Sequence, residues 1–264
     1  MAKINFQDIT LLITHYNRSK SLERLLNAFE ALDCSFEDVV VSDDCSSVEH
    51  LTHLRKLQNQ FPFRLVTTEK NMGLGNNINK GHDSVLTNLI LYVQEDFVPT
   101  KEFSVNFQKG LEIFQNNKDL DIVRFYAYFK YPYLKDISSG YSEMKFKLWY
   151  LKFKLWYPGY RKFYMYSDHP HLVRNDFLKK FGRYKEFVNP EVAEYNMMLS
   201  FLQKKGKGLF FNKYQDLFLQ INTSSEPSTM KRTKLRESKN LIIILVKHLY
   251  RHIKFNFNYL FKKF

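Results

Sequence analysis

The sequence predicts an α/β fold with a mostly parallel central sheet and helices on both of its faces. Three observations predict it. Short apolar runs of strand length recur along the first half of the chain, each stopping at polar or acidic residues. Between them lie segments whose apolar residues repeat at helical spacing. The run Leu89-Ile90-Leu91-Tyr92-Val93 is apolar on both faces, as suits a strand in the middle of a parallel sheet. It ends at Gln94-Glu95-Asp96, and Pro99 blocks simple continuation. Open α/β sheets bind ligands at the carboxyl ends of their strands, so these acids mark a candidate site. Hard cations such as Mg²⁺ and Mn²⁺ prefer carboxylate oxygens of this kind.

The elements follow in order. Asp8 to Thr14 reads as a first strand ending at Tyr16-Asn17-Arg18. Ser19 is the expected cap of a helix carrying Leu22, Leu25, Leu26, Phe29 and Leu32 inward. Asp38 to Ser42 is a second strand that stops at Asp43-Asp44-Cys45-Ser46, before a helix with Val48, Leu51, Leu54 and Leu57. Phe63 to Thr67 is a third strand. The glycine-containing turn Asn71-Met72-Gly73-Leu74-Gly75-Asn76-Asn77 then opens a helix running to about Leu86. After the Gln94-Glu95-Asp96 strand, Thr100 caps a helix with Phe103, Phe107, Leu111 and Phe114 inward, and Asp121 to Phe125 is a fifth strand. Strands and helices alternating at this length argue for a doubly wound sheet.

From Tyr126 to Tyr166 the pattern changes. The stretch is dense in aromatics and lysine and holds a tandem, Lys145-Phe146-Lys147-Leu148-Trp149-Tyr150 and Lys152-Phe153-Lys154-Leu155-Trp156-Tyr157. It reads equally as a helix or a strand, and as a core element or a membrane-interface patch. Regularity returns with the strand His171 to Arg174, a short helix from Asp176 to Phe181, a helix opened by Asn189 as cap and Pro190 at its first position, and the strand Gly208 to Phe211. Ser224 to Ser228, with Pro227, is the expected linker. The division is therefore 1–227, with halves 1–125 and 126–227, and a tail 228–264.

Composition bounds the function. A chain of 264 residues, 44% hydrophobic and 17% aromatic, can bury a sizeable core. Cys34 and Cys45 alone make no disulfide framework and suit a reducing compartment. Lys3, Asp8 and Thr10 make the start a strand rather than a secretory signal, and the aliphatic run Leu241 to Val246 is far short of a bilayer span. A cytoplasmic protein without a transmembrane helix is expected. Of the formal net charge of +13, residues 228–264 carry +9, so the main domain need not bind polyanions. The tail intersperses Lys247, Arg251, Lys254, Lys262 and Lys263 with large apolar residues. That pattern suits a helix lying on an anionic membrane, or one docked on the protein with its basic residues outward. It contains no nucleic-acid recognition motif, and no nucleic-acid partner is expected.

Four motifs in this order, Thr14-His15-Tyr16-Asn17-Arg18, Asp43-Asp44-Cys45-Ser46, Asn71 to Asn77 and Gln94-Glu95-Asp96, make the chain resemble glycosyltransferase family 2 enzymes of the GT-A fold. The resemblance spans roughly residues 8 to 215. It implies inverting transfer of a sugar from a nucleotide-diphosphate sugar to an acceptor hydroxyl. The implied acceptor is a saccharide or lipid-linked saccharide, in cell-surface polysaccharide or lipopolysaccharide synthesis. The implied donor pocket comprises Thr14, Tyr16, Asn17, Arg18, Asp43, Asp44, Gly73, Asn77, Gln94 and Glu95. A carboxylate such as Asp44 can accept a ring N–H of the base, and the Tyr16 ring can stack on it; alone, each residue would read as an ordinary turn or strand-end residue. Gly73 and Gly75 permit close backbone approach, and the helix start offers N–H groups to anionic oxygens. A dinucleotide fingerprint is a poor competitor, because it should follow the first strand and the residue three after Gly75 is Ile78, not Gly.

The family's acidic motif is Asp-x-Asp. Here Gln94 replaces the first Asp, and Asp96 keeps the position that holds Mn²⁺ or Mg²⁺. His171 is the second metal-ligand candidate; it and His169 could otherwise meet diphosphate or acceptor. The family's base is a carboxylate in a Glu-Asp pair on a late helix, which here falls on Glu194 and Tyr195. Glu194 is thus the expected base, with Glu191, on the same helical face, close behind it. The tail would place the protein on the cytoplasmic face of the inner membrane. The rival reading is a non-catalytic nucleotide-sugar or glycan-binding module, with Gln94 and Tyr195 marking lost chemistry.

Overall fold

The central strand behaves as its periodicity requires: odd and even residues of β4 (Leu89–Gln94) go to opposite faces of the sheet. Leu89, Leu91 and Val93 join one buried cluster, and Ile90 and Tyr92 the other. The structure, a computed structural model, describes residues 4–131, 133–146, 165–227 and 240–264. The tandem at 145–157 lies outside the described residues from position 147 onward.

The sheet also contains β1 (Ile4–His15), β2 (Cys34–Asp43), β3 (Arg64–Val66), β6 (Ile122–Arg124), β7 (Leu134–Ser138), β8 (Tyr141–Met144), β9 (His171–Arg174) and β10 (Gly208–Phe211). Their order is β3-β2-β1-β4-β9-β6-β10-β8-β7. β3, β2, β1 and β4 are mutually parallel, and β6 and β10 are parallel to each other. β9 runs antiparallel between β4 and β6. A reversed strand in that position brings its entering residues, 165–170, to the edge where its neighbours end. A separate ribbon pairs β5 (Phe97–Pro99) with β11 (Phe218–Gln220), antiparallel.

One face of the sheet carries α1 (Ser19–Ala31), α2 (Val48–Leu57) and α4 (Phe103–Asn116), through Leu22, Leu25, Leu54, Phe103 and Phe107. The other carries α3 (Leu74–Asp83), α5 (Phe177–Phe181) and α6 (Pro190–Gln203), through Ile78, Phe181, Met197 and Phe201. Both faces of the central strands are dry, which accounts for their unbroken apolar runs.

Four local expectations differ. β1 starts at Ile4, and its register with β2 shifts between Phe6 and Thr10, where Asp8 has φ 58°. Ser19 does not cap α1: it is the first helical residue, and its hydroxyl meets the His50 and His53 rings. The cap comes instead from Glu226, whose carboxylate accepts from the Lys20 and Ser21 N–H groups and the Ser21 hydroxyl. Residues 221–226 are therefore bound to the domain, and 224–226 of them fall in the expected linker 224–228. Thr100 precedes α4 by three residues and accepts from the Glu102 N–H rather than capping the helix. Asn189 and Pro190 open α6 as expected, with the Asn189 side chain accepting from the Glu191 N–H.

The C-terminal helix α7 (Leu241–Phe261) packs on α6 by one face. Phe255 is buried, Asn258 donates to the Tyr195 hydroxyl at 3.2 Å, and Gln203 donates to the Tyr259 carbonyl at 2.8 Å. The opposite face leaves Ile242, Val246, Leu249, Ile253, Phe257 and Leu260 exposed. Among the described residues no helix is long and apolar enough to cross a membrane.

Candidate functional site

Strand register brings the motifs together. Thr14 stands opposite Ser42 on one side and Gln94 on the other, and His15 stands opposite Asp43. The loops that follow these residues therefore leave the sheet from one edge, side by side. β9 adds His171 to the same edge, opposite Tyr92 and Arg124.

The first corner of the site is closed by hydrogen bonds. Asp43 is fully buried; its Oδ1 meets His15 Nδ1 at 2.7 Å, and its Oδ2 accepts from the Ser46 N–H at 2.9 Å. The Arg18 N–H donates to His15 Nε2, which leaves the proton on Nδ1, facing Asp43. Burial drives His15 down despite Asp43. Burial pushes Asp43 up, but bonds from His15 and Ser46 outweigh it and leave it below the usual carboxylate range. Asn17, at φ 52°, accepts from the Ser47 N–H at 2.8 Å and ties the two loops together. Asp44 accepts from the Met72 and Gly73 N–H groups at 2.7 and 2.8 Å. Gly73 has φ +83°, a conformation natural only to glycine. Gly75 faces another demand, since a Cβ there would sit 2.4 Å from the Lys185 carbonyl oxygen.

Two side chains of α3 are hydrogen-bonded to the ends of the neighbouring strands in this arrangement. Asn77 is buried, accepting from the Ser42 hydroxyl at 2.7 Å and donating to the His15 carbonyl at 3.2 Å. Lys80 Nζ donates to the Asp43 carbonyl, and burial lowers its pKa. Thr14 shares a 3.0 Å hydrogen bond with the Tyr92 hydroxyl, and Tyr16 is half-buried at the strand end.

The second corner holds acids with few donors. Arg18 Nη1 lies 3.4 Å from both Glu95 Oε1 and Asp96 Oδ2, while its Nη2 donates to Asn222 at 2.8 Å. Gln220 donates to Asp96 Oδ2 at 2.9 Å. Asp96 Oδ1 is buried and takes no hydrogen bond among the described residues. Burial, then the Asp96 charge, pushes Glu95 up to about 8, against the pull of Arg18. Asp168, reached from β9, lies next to Gln94, whose amide donates to its carbonyl at 3.4 Å. The Asp168 N–H donates to Glu194 Oε1 at 3.2 Å. Glu194 is buried in α6, and Glu191 lies one turn earlier, half-buried.

His171 donates from Nδ1 to the His169 carbonyl at 2.7 Å, and its ring packs on Tyr92 with centroids 5.0 Å apart. Burial drives it down to about 3. No group of three His, Cys, Asp or Glu side chains is placed to hold a metal among the described residues. The fit for a divalent cation is therefore Asp96 alone, through its orphaned buried oxygen. Such a cation takes its remaining ligands from diphosphate and water, as Mg²⁺ commonly does.

Three contributors escaped the sequence reading. Gln220 and Asn222 carry no motif, and Asp168 sits in a segment whose path depends on the reversal of β9. The Glu226 cap was equally hidden.

Comparison with known proteins gives the same picture. Residues 10–182 match the family model described as Glycosyl transferase family 2. Among solved structures, S. aureus TarS 1-349 in complex with UDP-GlcNAc superposes with TM-score 0.59 at 16% identity, covering 97% of this chain and 76% of that one. The mannosyltransferase PcManGT from Pyrobaculum calidifontis, in complex with GDP-Man and Mn²⁺, gives TM-score 0.55 at 14% identity, covering 94% and 63%. At these identities the structures share the GT-A fold. No curated protein matches the sequence.

Proposed function

The chain belongs to glycosyl transferase family 2, and we propose that it moves a sugar, with inversion, from a nucleoside-diphosphate donor to an acceptor hydroxyl. One observation carries this reading: Ser42, Thr14 and Gln94 stand in register, so the nucleotide-facing motifs and the Glu95–Asp96 pair open at one edge. The UDP-GlcNAc and GDP-Man of the structural neighbours support a nucleotide-sugar donor.

The nucleoside lies between Tyr16 and the Asp44 loop, with Thr14, Asn17, Gly73 and Gln94 around it. A carboxylate has more acceptor sites than the two that Asp44 gives to Met72 and Gly73, so it can still meet the base. Asp96 would hold the Mn²⁺ or Mg²⁺ through Oδ1, and such an ion supplies charge neutralisation at the diphosphate. Arg18 holds Glu95 and Asp96 together and ties them to Asn222. The acceptor proton goes to the acid cluster anchored by Glu194. Glu191, on the outer turn, is the less favourable base.

The test is nucleotide release from a panel of UDP- and GDP-sugars with Mn²⁺, using the full chain. Asp96→Ala is expected to slow release about a hundredfold or more. A parental rate in that variant refutes the assignment, and donor binding with no release in the wild type supports the non-catalytic rival.

The second unit, residues 228–264, carries the acceptor reading. α7 keeps an apolar face exposed beside Arg251 and Lys254 after docking by its other face. That combination supports attachment to an anionic membrane surface and a lipid-linked saccharide acceptor. Vesicle flotation should show anionic vesicles carrying the full chain. Ile253→Ser with Phe257→Ser should release it, and unchanged flotation removes the membrane role.

A further inference from the structure

With Gln94 in place of an aspartate, the acidic motif keeps a single aspartate, Asp96. Gln94 turns its amide to the Asp168 carbonyl, at 3.4 Å. A cation that takes one protein oxygen depends on how firmly that oxygen is aimed. The two Asp96 oxygens stand in different surroundings. Oδ1 takes no hydrogen bond among the described residues, whereas Oδ2 accepts from Gln220 Nε2 at 2.9 Å. The Gln220 carbonyl, Oε1, accepts in turn from the Tyr128 hydroxyl at 3.0 Å. An ionised carboxylate can only accept, so the amide must give its NH₂ to Asp96 and its carbonyl to Tyr128, and the phenol must donate.

The backbone holds this chain of bonds in place. Gln220 lies opposite Phe97, the residue after Asp96, and the Ile221 N–H donates to the Asp96 carbonyl at 2.8 Å. Tyr128 is seated edge-on against His169 and Tyr126, with ring centroids 4.7 and 5.7 Å away, yet 51% of it stays exposed. β11 lies beyond residues 10–182, the part of the chain that matches the family, so none of the family's motifs marks Gln220.

Resting on the glycosyl-transfer reading above, we propose that Tyr128 and Gln220 form a clamp that sets the Asp96 carboxylate for a divalent cation. Gln220 is a positioning residue: it occupies Oδ2 and leaves Oδ1 for the ion. Tyr128 acts one step further out, by fixing which end of the amide faces the acid. The amide suits this task because it is neutral. A lysine or arginine hydrogen-bonded at Oδ2 would set a full positive charge beside the ion and repel it, whereas Gln220 orients the carboxylate and leaves its charge in place. Arg18 divides its charge between Glu95 and Asp96, at 3.4 Å from each. That is longer than a charge-assisted hydrogen bond, so the aiming falls to Gln220.

The experiment measures Mn²⁺ binding to the full chain from the electron paramagnetic resonance of the free ion. UDP or GDP is present, the ion each nucleotide holds by itself is subtracted, and nucleotide release is followed in parallel. Gln220→Leu keeps much of the side chain's size and removes both hydrogen bonds; it is expected to weaken Mn²⁺ binding about tenfold or more. Its nucleotide release should recover at saturating Mn²⁺, a rescue that mere loosening of the ribbon would not give. Tyr128→Phe keeps the ring and frees the amide to turn, and is expected to weaken Mn²⁺ binding about threefold. Parental affinity in Gln220→Leu, or in Tyr128→Phe should the first variant not fold, overturns the clamp. Parental affinity in Tyr128→Phe beside a weakened Gln220→Leu strikes the tyrosine from it. A rate that added Mn²⁺ does not restore makes Gln220 a support of the ribbon alone and overturns the positioning role, and a wild type that binds no Mn²⁺ overturns it as well. If Gln220→Leu weakens Mn²⁺ binding while the wild type releases nucleotide from no donor, the transfer reading fails and the clamp stands.

Discussion

The two acidic corners of the site are built from the same residue types and differ in how many donors reach them. Asp43 and Asp44 are surrounded by N–H and O–H groups: His15 and Ser46 on one, Met72 and Gly73 on the other. Glu95, Asp96, Asp168 and Glu194 are as deeply buried but share Arg18, Gln220, Gln94 and a few backbone groups. A well-supplied carboxylate stays ionised and holds loops in place. A poorly supplied one is driven toward the neutral form or left with an unused oxygen, and that is the state chemistry draws on.

The comparison can be broken at the well-supplied corner first. Asp43→Ala leaves His15 Nδ1–H and both Ser46 donors without their acceptor, and should cost about 3 kcal/mol in urea unfolding. A loss below about 1 kcal/mol would show that this network holds little. Its pH dependence has a definite sign. The folded pKa of Asp43 is depressed, so its contribution is present above the unfolded carboxylate range and is lost as pH falls through the folded value.

Glu95 sharpens the other side with the opposite sign. Raised from 4.5 to about 8, it binds a proton in the folded state across a window where the unfolded chain has lost it. Stability should therefore fall as pH rises from 4.5 toward 8. Glu95→Gln removes that decline, so its stability relative to wild type should improve by about 3 kcal/mol between pH 5 and pH 8. Urea midpoints at the two pH values decide it, and parallel curves would show that Glu95 is ionised when folded.

The smallest effect concerns the strap over both corners. Glu226→Ala removes the acceptor for the Lys20 and Ser21 N–H groups at the start of α1. It should cost about 1 kcal/mol, seen as a lower thermal midpoint. If the strap is independent of Asp96, this variant will leave donor turnover untouched; a drop in turnover shows that residues 218–226 position the acid.

Much of this was legible in residue order. The alternation of β1 to β4 with α1 to α3 followed from periodicity, because Leu22, Leu25, Leu26 and Phe29 can share a face only as a helix. Asn189-Pro190 marked the start of α6 because a cap side chain and a proline act on their own helix end. Ser19 misled for the same reason that Asn189 did not. The competing acceptor, Glu226, lies far along the chain and outbids a local hydroxyl with a charge. The β7–β8 hairpin and the β5–β11 ribbon were hidden because neither strand is apolar enough, or long enough, to show a period.

The sequence by itself determined where the strands end and which polar residues stand there, because both are properties of short stretches. Only the tertiary structure decided what those residues face. The antiparallel entry of β9 brings Asp168 to Gln94 and Glu194, the ribbon brings Gln220 to Asp96, and α7 turns one apolar face inward and leaves the other out. Each of these depends on the distance between residues remote in sequence, and no local pattern of side chains encodes that distance.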